Sequence, residues 1–282
     1  MVAALSQAQR IPSGRWGNYI LSRYVRLYVI YLPLFLLALA VKWDQATFDW
    51  IWRSFLFVPL PDRPPVIGAT WMLSYFMLFY FIFSLAFLFH REAILGLIFS
   101  IWVAGIVAYS WLGWKPALPS HWASLFFNER NLDMLLGYGV GVILRNNCLP
   151  VRWARGLCWV GLAGLLGGTA LLNIYQGDLI RSLFLGLPIA LFILGLAALE
   201  KARTNDWPVR VLAWRGLVWL GGTSYVLDLS HGIFLQAWNR VLPITPGLTP
   251  VITLAAVAAA ALGTMFWEEP VLQKLRSKLK LT

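Results

Sequence analysis

Charge is what this sequence has least of. Asp, Glu, Lys and Arg make up 12% of its 282 residues, about half of what an ordinary soluble domain carries. That scarcity excludes the pair of soluble domains the length would otherwise allow. Cysteine is nearly absent: Cys148 and Cys158 stand alone on either side of a basic segment. Two isolated cysteines imply neither a disulfide framework nor a metal site, and they read as apolar fillers. The 3 His (His90, His121 and His231) are too few and too scattered for a metal cluster. The first residues, MVAALSQAQRIPSGRWGNY, contain no apolar core of the kind a cleavable signal peptide needs. No Gly-x-Ser-x-Gly motif, low-complexity tract or clear internal repeat is found.

What the chain has is apolar residues, 60% of the total, gathered into blocks near the ~20 residues that cross a bilayer. They predict an all-α, polytopic transmembrane helical bundle of about eight spans: Leu27–Val41, Ile67–Phe89, Ala93–Leu112, Leu132–Leu144, Leu157–Tyr175, Leu183–Leu199, Leu217–Trp238 and Val251–Trp267. The fourth is short. With the N-terminus in the cytoplasm, sixteen of the 23 cations fall on the inner side, as the positive-inside rule requires. An even number of spans then makes both termini cytoplasmic. The net charge of +11 is explained by this distribution and not by a nucleic-acid surface, because the cations sit at helix ends. The 16 Trp fit aromatic belts at the headgroups. Two external connections, Lys42–Val66 and Gly113–Asn131, are long enough to hold short interfacial helices. The last residues, 271–282, read as a basic cytoplasmic tail resting on anionic lipid.

Polar groups at bilayer depth are costly and face a partner, a cavity or a substrate path. Asp228 and His231, three apart on the seventh predicted helix, share a face. They form either a carboxylate-oriented general base or a pair that merely satisfies itself in the bundle. Thr223 and Ser224 precede them. Trp71, Ser74, Tyr75 and Tyr80 line either a polar path or an aromatic belt with packing hydroxyls. Arg23 and Arg26, just before the first predicted span, either grip a phosphate group or serve as anchors to the inner surface. Glu268 and Glu269 close the last predicted span, where the helix dipole disfavours acids, so pairing with nearby arginines is expected.

Five segments, in order, resemble the acyltransferase family 3 membrane proteins, which O-acylate surface glycans. SRYVRLYVIYLP is similar to the family's Arg-x-x-Arg element. ATWMLSYFMLFYFIF is similar to its Trp-x-Leu-Ser stretch, and NLDMLLGYGVGVIL to its LEFLLG-like helix. LVWLGGTSYVLDLSHGIFLQ is similar to its LGxxSYSLYLxH helix, and FWEEPVLQKLR to its closing Glu-x-Pro. The resemblance implies a single membrane domain over 1–282 that moves an acyl group, expected to be acetyl, from acyl-CoA to a hydroxyl of an exported polysaccharide. It implies a bacterial inner-membrane location, membrane lipid and a glycan or lipid-linked saccharide as partners, and a possible oligomer or glycan-export partner. No metal and no nucleic acid is expected; acyl-CoA is a co-substrate. His231 and Asp228 become the catalytic candidates and Arg23 and Arg26 the donor-binding pair. Trp71, Ser74, Tyr80, Ser224 and Tyr225 become the substrate path. Three departures accompany the likeness. Phe76 stands where the family has Glu, Asp133 stands for another Glu, and the chain begins where the family's third span would, so a leading hairpin with a catalytic His is expected to be missing. A catalytically silent member or an unrelated transporter are the alternatives.

Overall fold

The structure is a computed structural model, and it describes residues 16–60, 63–89, 92–146, 149–172, 181–241 and 249–279. His90 and Cys148 lie outside the described residues. The described residues form helices and turns, with no strand among them. Helices α1 (Trp16–Val41), α2 (Phe48–Phe55), α3 (Trp71–Phe89), α4 (Glu92–Trp111), α5 (Ser120–Phe127) and α6 (Arg130–Asn146) are followed by α7 (Val151–Leu172), α8 (Leu187–Lys201), α9 (Trp207–Leu212), α10 (Arg215–Val241), α11 (Thr249–Gly263) and α12 (Glu269–Leu279). Each of the eight predicted spans is a helix, and α2 and α5 are the short helices expected in the two long connections. Six spans are long and apolar enough to cross a membrane among the described residues. The other two differ for physical reasons: α6 has 17 residues, just under a bilayer thickness, and α10 carries Thr223, Ser224, Asp228 and His231 in its middle.

Two boundaries differ from expectation. The first helix begins at Trp16, so Arg23 and Arg26 lie inside it and not ahead of it. Nothing in LSRYVRLY breaks a helix, and Leu and Arg favour one. The last helix does not close at Trp267. It passes through a π-helical turn, Thr264–Glu268, into α12, so the segment expected as a tail is helical as far as Leu279. Pro270 stands two residues beyond that turn, and Pro188 stands two residues beyond the other π turn, Ser182–Gly186. A proline has no N–H and its ring crowds the preceding turn, so widening the helix there relieves the clash without ending the rod.

The chain divides into two compact units. One contains Leu85–Trp214, and the other is made of Arg15–Ser84 and Arg215–Thr282.

In the unit of residues 85–214, α7 and α8 run antiparallel with their backbones almost touching. A Cβ on Gly161 would lie 2.5 Å from the Phe192 nitrogen, one on Gly195 would lie 2.5 Å from the Ala154 oxygen, and one on Gly168 would strike the Phe184 oxygen. Small residues are how helices associate where lipid removes the hydrophobic drive. Cys158 is buried in this seam, its Sγ 3.9 Å from the Phe192 oxygen, and serves as the filler the sequence indicated. Lys201 Nζ donates to the Leu144 carbonyl at the end of α6, satisfying one of the acceptors a helix leaves open there. Arg155 Nε donates to Asp206 Oδ1 at 2.9 Å.

The second unit is built on aromatic packing. Leu27, Ile30, Tyr31, Phe35 and Ala38 form the buried face of α1 at helical spacing. The connection after α1 folds back onto that face. Tyr31 Oη donates to the Ser54 carbonyl at 2.6 Å and Tyr28 Oη to the Phe55 carbonyl at 2.7 Å. Val66 N donates to Ser54 Oγ, and Trp50 Nε1 to the Pro64 carbonyl. Phe57 takes a φ of 58°, which strains a residue with a Cβ. It is held there by the Tyr28 and Tyr31 rings and by Ser74 Oγ, which donates to its carbonyl at 2.7 Å.

Candidate functional site

The candidate catalytic, donor-binding and substrate-path residues singled out from the sequence lie in the second unit, at two levels of its helices. The first level is at the end of α1. Lys42 follows the last turn, its amide donating to the Ala38 and Leu39 carbonyls, and its Nζ donates to the Val66 carbonyl at 2.8 Å. Burial lowers its pKa from the usual lysine range. Val66 leads into the 3₁₀ turn Gly68–Thr70 and the start of α3. These pieces, with Asp228 and His231 from α10, enclose a cavity of about 500 Å³. The N-terminus of α3 faces it through Gly68, Ala69 and Trp71, and the open N–H groups of a helix start carry partial positive charge.

His231 is exposed, and its Nδ1 lies 3.2 Å from the Leu227 carbonyl one turn back. A carbonyl only accepts, so that bond places the ring proton on Nδ1 and leaves the Nε2 lone pair open. The ring is oriented by the backbone of its own helix. Asp228 lies within electrostatic range of the imidazole, but the hydrogen bond of the ring goes to Leu227. Asp228 and His231 also line a second cavity, of about 450 Å³, between α10 and α11, with Ser224, Leu227, Leu235 and Ile252 around it. His231 therefore stands on the wall between a cavity of mixed lining and a more apolar one.

The second level gathers the arginines. The Arg23 guanidinium lies over the rings of Tyr19 and Tyr80, 5.4 and 5.7 Å from their centroids, in cation–π geometry. Glu268, buried on the π turn, and Tyr225 both lie within electrostatic range of Arg26. Tyr225 Oη donates to the Leu27 carbonyl, and Trp267 Nε1 to that of Val29. Glu268 thus lies within the field of an arginine, from within a helix, but its Oε2 has no hydrogen-bond partner and, among the described residues, the ion pair expected from the sequence is not formed. Four of the five resembling segments meet in this one unit.

The expected substrate path divides accordingly. Trp71 lines the first cavity and Ser224 the second. Ser74 is engaged with Phe57, Tyr80 lies against Arg23, and Tyr225 is bound to α1. Phe76, where the resemblance expects Glu, packs on the hydrophobic cluster around Tyr31. Asp133, which stands for the other Glu, begins α6 beside Gly186 in the other unit. No group of His, Cys, Asp and Glu able to hold a metal occurs among the described residues. Sequence reasoning missed Lys42, which read as one external cation among several. Its position immediately after an apolar span, ahead of the turn-rich PLPDRPP, was the available signal.

No curated protein and no solved structure matches the chain. A family model does: that of the acyltransferase domain Acyl_transf_3, over residues 2–267. The match covers almost the whole sequence, including both levels of the site, and the apolar helices place the protein in a membrane. The chain therefore belongs to acyltransferase family 3 and is an integral-membrane acyltransferase of all-α, polytopic architecture.

Proposed function

We propose that the protein transfers an acyl group, acetyl in the simplest case, from acyl-CoA to a hydroxyl of an exported polysaccharide or its lipid-linked precursor. In this reading α6 and α10 complete eight spans across a bacterial inner membrane, with both chain ends in the cytoplasm. The observation that supports it most is His231: its Nδ1–H bond to Leu227 leaves Nε2 free as a proton acceptor at the mouth of a cavity. Acyl transfer to an alcohol needs such a base within reach of the hydroxyl. Asp228 favours the imidazolium that forms. Arg23 and Arg26, in the N-terminal half of α1, meet the phosphates of coenzyme A. From Arg26 to Lys42 the helix rises roughly 24 Å at 1.5 Å per residue. The long pantetheine arm of the donor, which separates its phosphates from its thioester, is the part that spans this interval.

The test is the base-labile acetate on the surface glycan of cells in which this chain supplies the acetylation. His231→Ala lowers it about a hundredfold or more, with the protein present at its normal level in the membrane. Unchanged acetate would remove His231 from the reaction and favour a silent member or an accessory role in glycan export.

A further inference from the structure

The cavity that holds His231 contains a second chemically competent group that no motif pointed to. We propose that Lys42 is a catalytic residue of this site, its ammonium holding the oxyanion that forms on the acyl carbonyl while His231 takes the proton of the acceptor hydroxyl. The proposal rests on the acyl-transfer reading above.

Four observations carry it. Lys42 lines the same cavity as His231. Its ammonium has three N–H donors, and the bond to the Val66 carbonyl uses one, which fixes the head group and leaves two donors. The N-terminus of α3 faces the cavity alongside it, adding partial positive charge where negative charge develops. At Gly68 a Cβ would meet nothing within 4 Å, so the backbone at that helix start is open to a substrate. A positioned base and preorganised donors around one space are what acyl transfer requires. The arrangement is also economical in charge: Lys42, Asp228 and His231 are the titratable groups lining the cavity, and Asp44 lies two residues along, exposed.

The step balances without another reactant. The acceptor O–H gives its proton to His231 Nε2 as its oxygen bonds to the thioester carbon. The carbonyl π pair moves to oxygen, where Lys42 meets it. The pair then returns, the C–S bond breaks, and the thiolate of coenzyme A leaves with the proton from the imidazolium. The products are an ester and free coenzyme A.

The experiment uses membranes from cells producing the full chain, radiolabelled acetyl-CoA, and the endogenous glycan as acceptor. Lys42→Met, Lys42→Arg and His231→Ala are compared, with the amount of protein in the membrane and the melting temperature in detergent measured for each. Lys42→Met is expected to lower kcat about a hundredfold, with KM for acetyl-CoA within twofold, because the arginine level is untouched. Lys42→Arg is expected to keep measurable activity and to move the alkaline limb of the pH–rate profile upward, since a guanidinium holds its proton to higher pH than a half-buried ammonium. Should Lys42→Met disturb folding, the alkaline limb of Lys42→Arg decides. Transfer at the normal kcat in Lys42→Met, or an unmoved alkaline limb in Lys42→Arg, overturns the role of Lys42. If His231→Ala is inactive in the same series, only Lys42 is overturned; if His231→Ala also transfers normally, the acyl-transfer reading of this cavity falls with it.

Discussion

The two units of this chain solve helix packing in opposite ways. Residues 85–214 use glycine: Gly161, Gly168 and Gly195 bring α7 and α8 so close that no side chain fits between them. The other unit uses bulk. Tyr28, Tyr31, Phe35, Phe55 and Phe57 interlock at ring distances of 4.6–5.7 Å. The rings belong to the unit that also contains α10 and α11. That is where the cavities with His231, Asp228 and Lys42 open. A seam of backbone on backbone is stiff and offers no room to a substrate. An aromatic core with polar termini offers room at a definite place, and its tyrosine hydroxyls also tie a connecting loop to α1. The difference goes with the proposed site, whose residues lie in the aromatic unit.

The contrast can be broken most severely at the glycine seam. Gly161→Leu sets a side chain against the Phe192 nitrogen and the Pro188 oxygen, both backbone atoms that cannot swing aside. Overpacking of this kind costs about 1–3 kcal/mol and sometimes more, so loss of the protein from the membrane, or a melting temperature lower by many degrees, is expected. A stable, active Gly161→Leu protein would show that the seam is looser than its geometry. A smaller effect, confined to the second unit, is expected when the arginine level is disarmed. Arg23→Ala combined with Arg26→Ala should weaken acetyl-CoA binding about tenfold or more, measured by calorimetry on the detergent-solubilised protein, with little change in melting temperature. An unchanged affinity would return both arginines to anchoring.

The smallest effect concerns Asp206. The Thr204 hydroxyl and the Arg155 guanidinium hold its carboxyl below the usual carboxylate range. A lowered folded-state pKa means that the contribution is fully present above the unfolded value of ~3.9 and is lost as pH falls through the lower folded value. Melting temperatures of the native protein and Asp206→Asn should therefore differ slightly near neutral pH and converge in acid. A gap that persists at pH well below the carboxylate range would assign the effect to packing and not to charge.

Much of this was legible in the chain. Apolar blocks marked the long helices, six of which are long and apolar enough to cross a membrane among the described residues, and the spacing of Asp228 and His231 put them on one face because three residues make most of a helical turn. Arg23 and Arg26 were found for the same reason. Their place inside α1 was not, since hydropathy ends at the first charge while the helix continues. Lys42 escaped notice because its place beside His231 depends on Val66, 24 residues later, folding back to accept its hydrogen bond. Ser74 read as either part of a polar path or a packing hydroxyl; its hydroxyl donates to the strained backbone of Phe57. Spacing offered Asp228 as one possible partner of the His231 ring, whereas the hydrogen bond present goes to the Leu227 carbonyl of the same helix.

Local periodicity and the cost of bare polar groups in lipid were enough to determine which segments are helices, that the protein lives in a membrane, and which few side chains deserve a chemical role. Only the tertiary structure decided which of those side chains share a space. Hydrogen bonds and ring contacts between segments far apart in sequence set that outcome, and neither spacing nor hydropathy contains them.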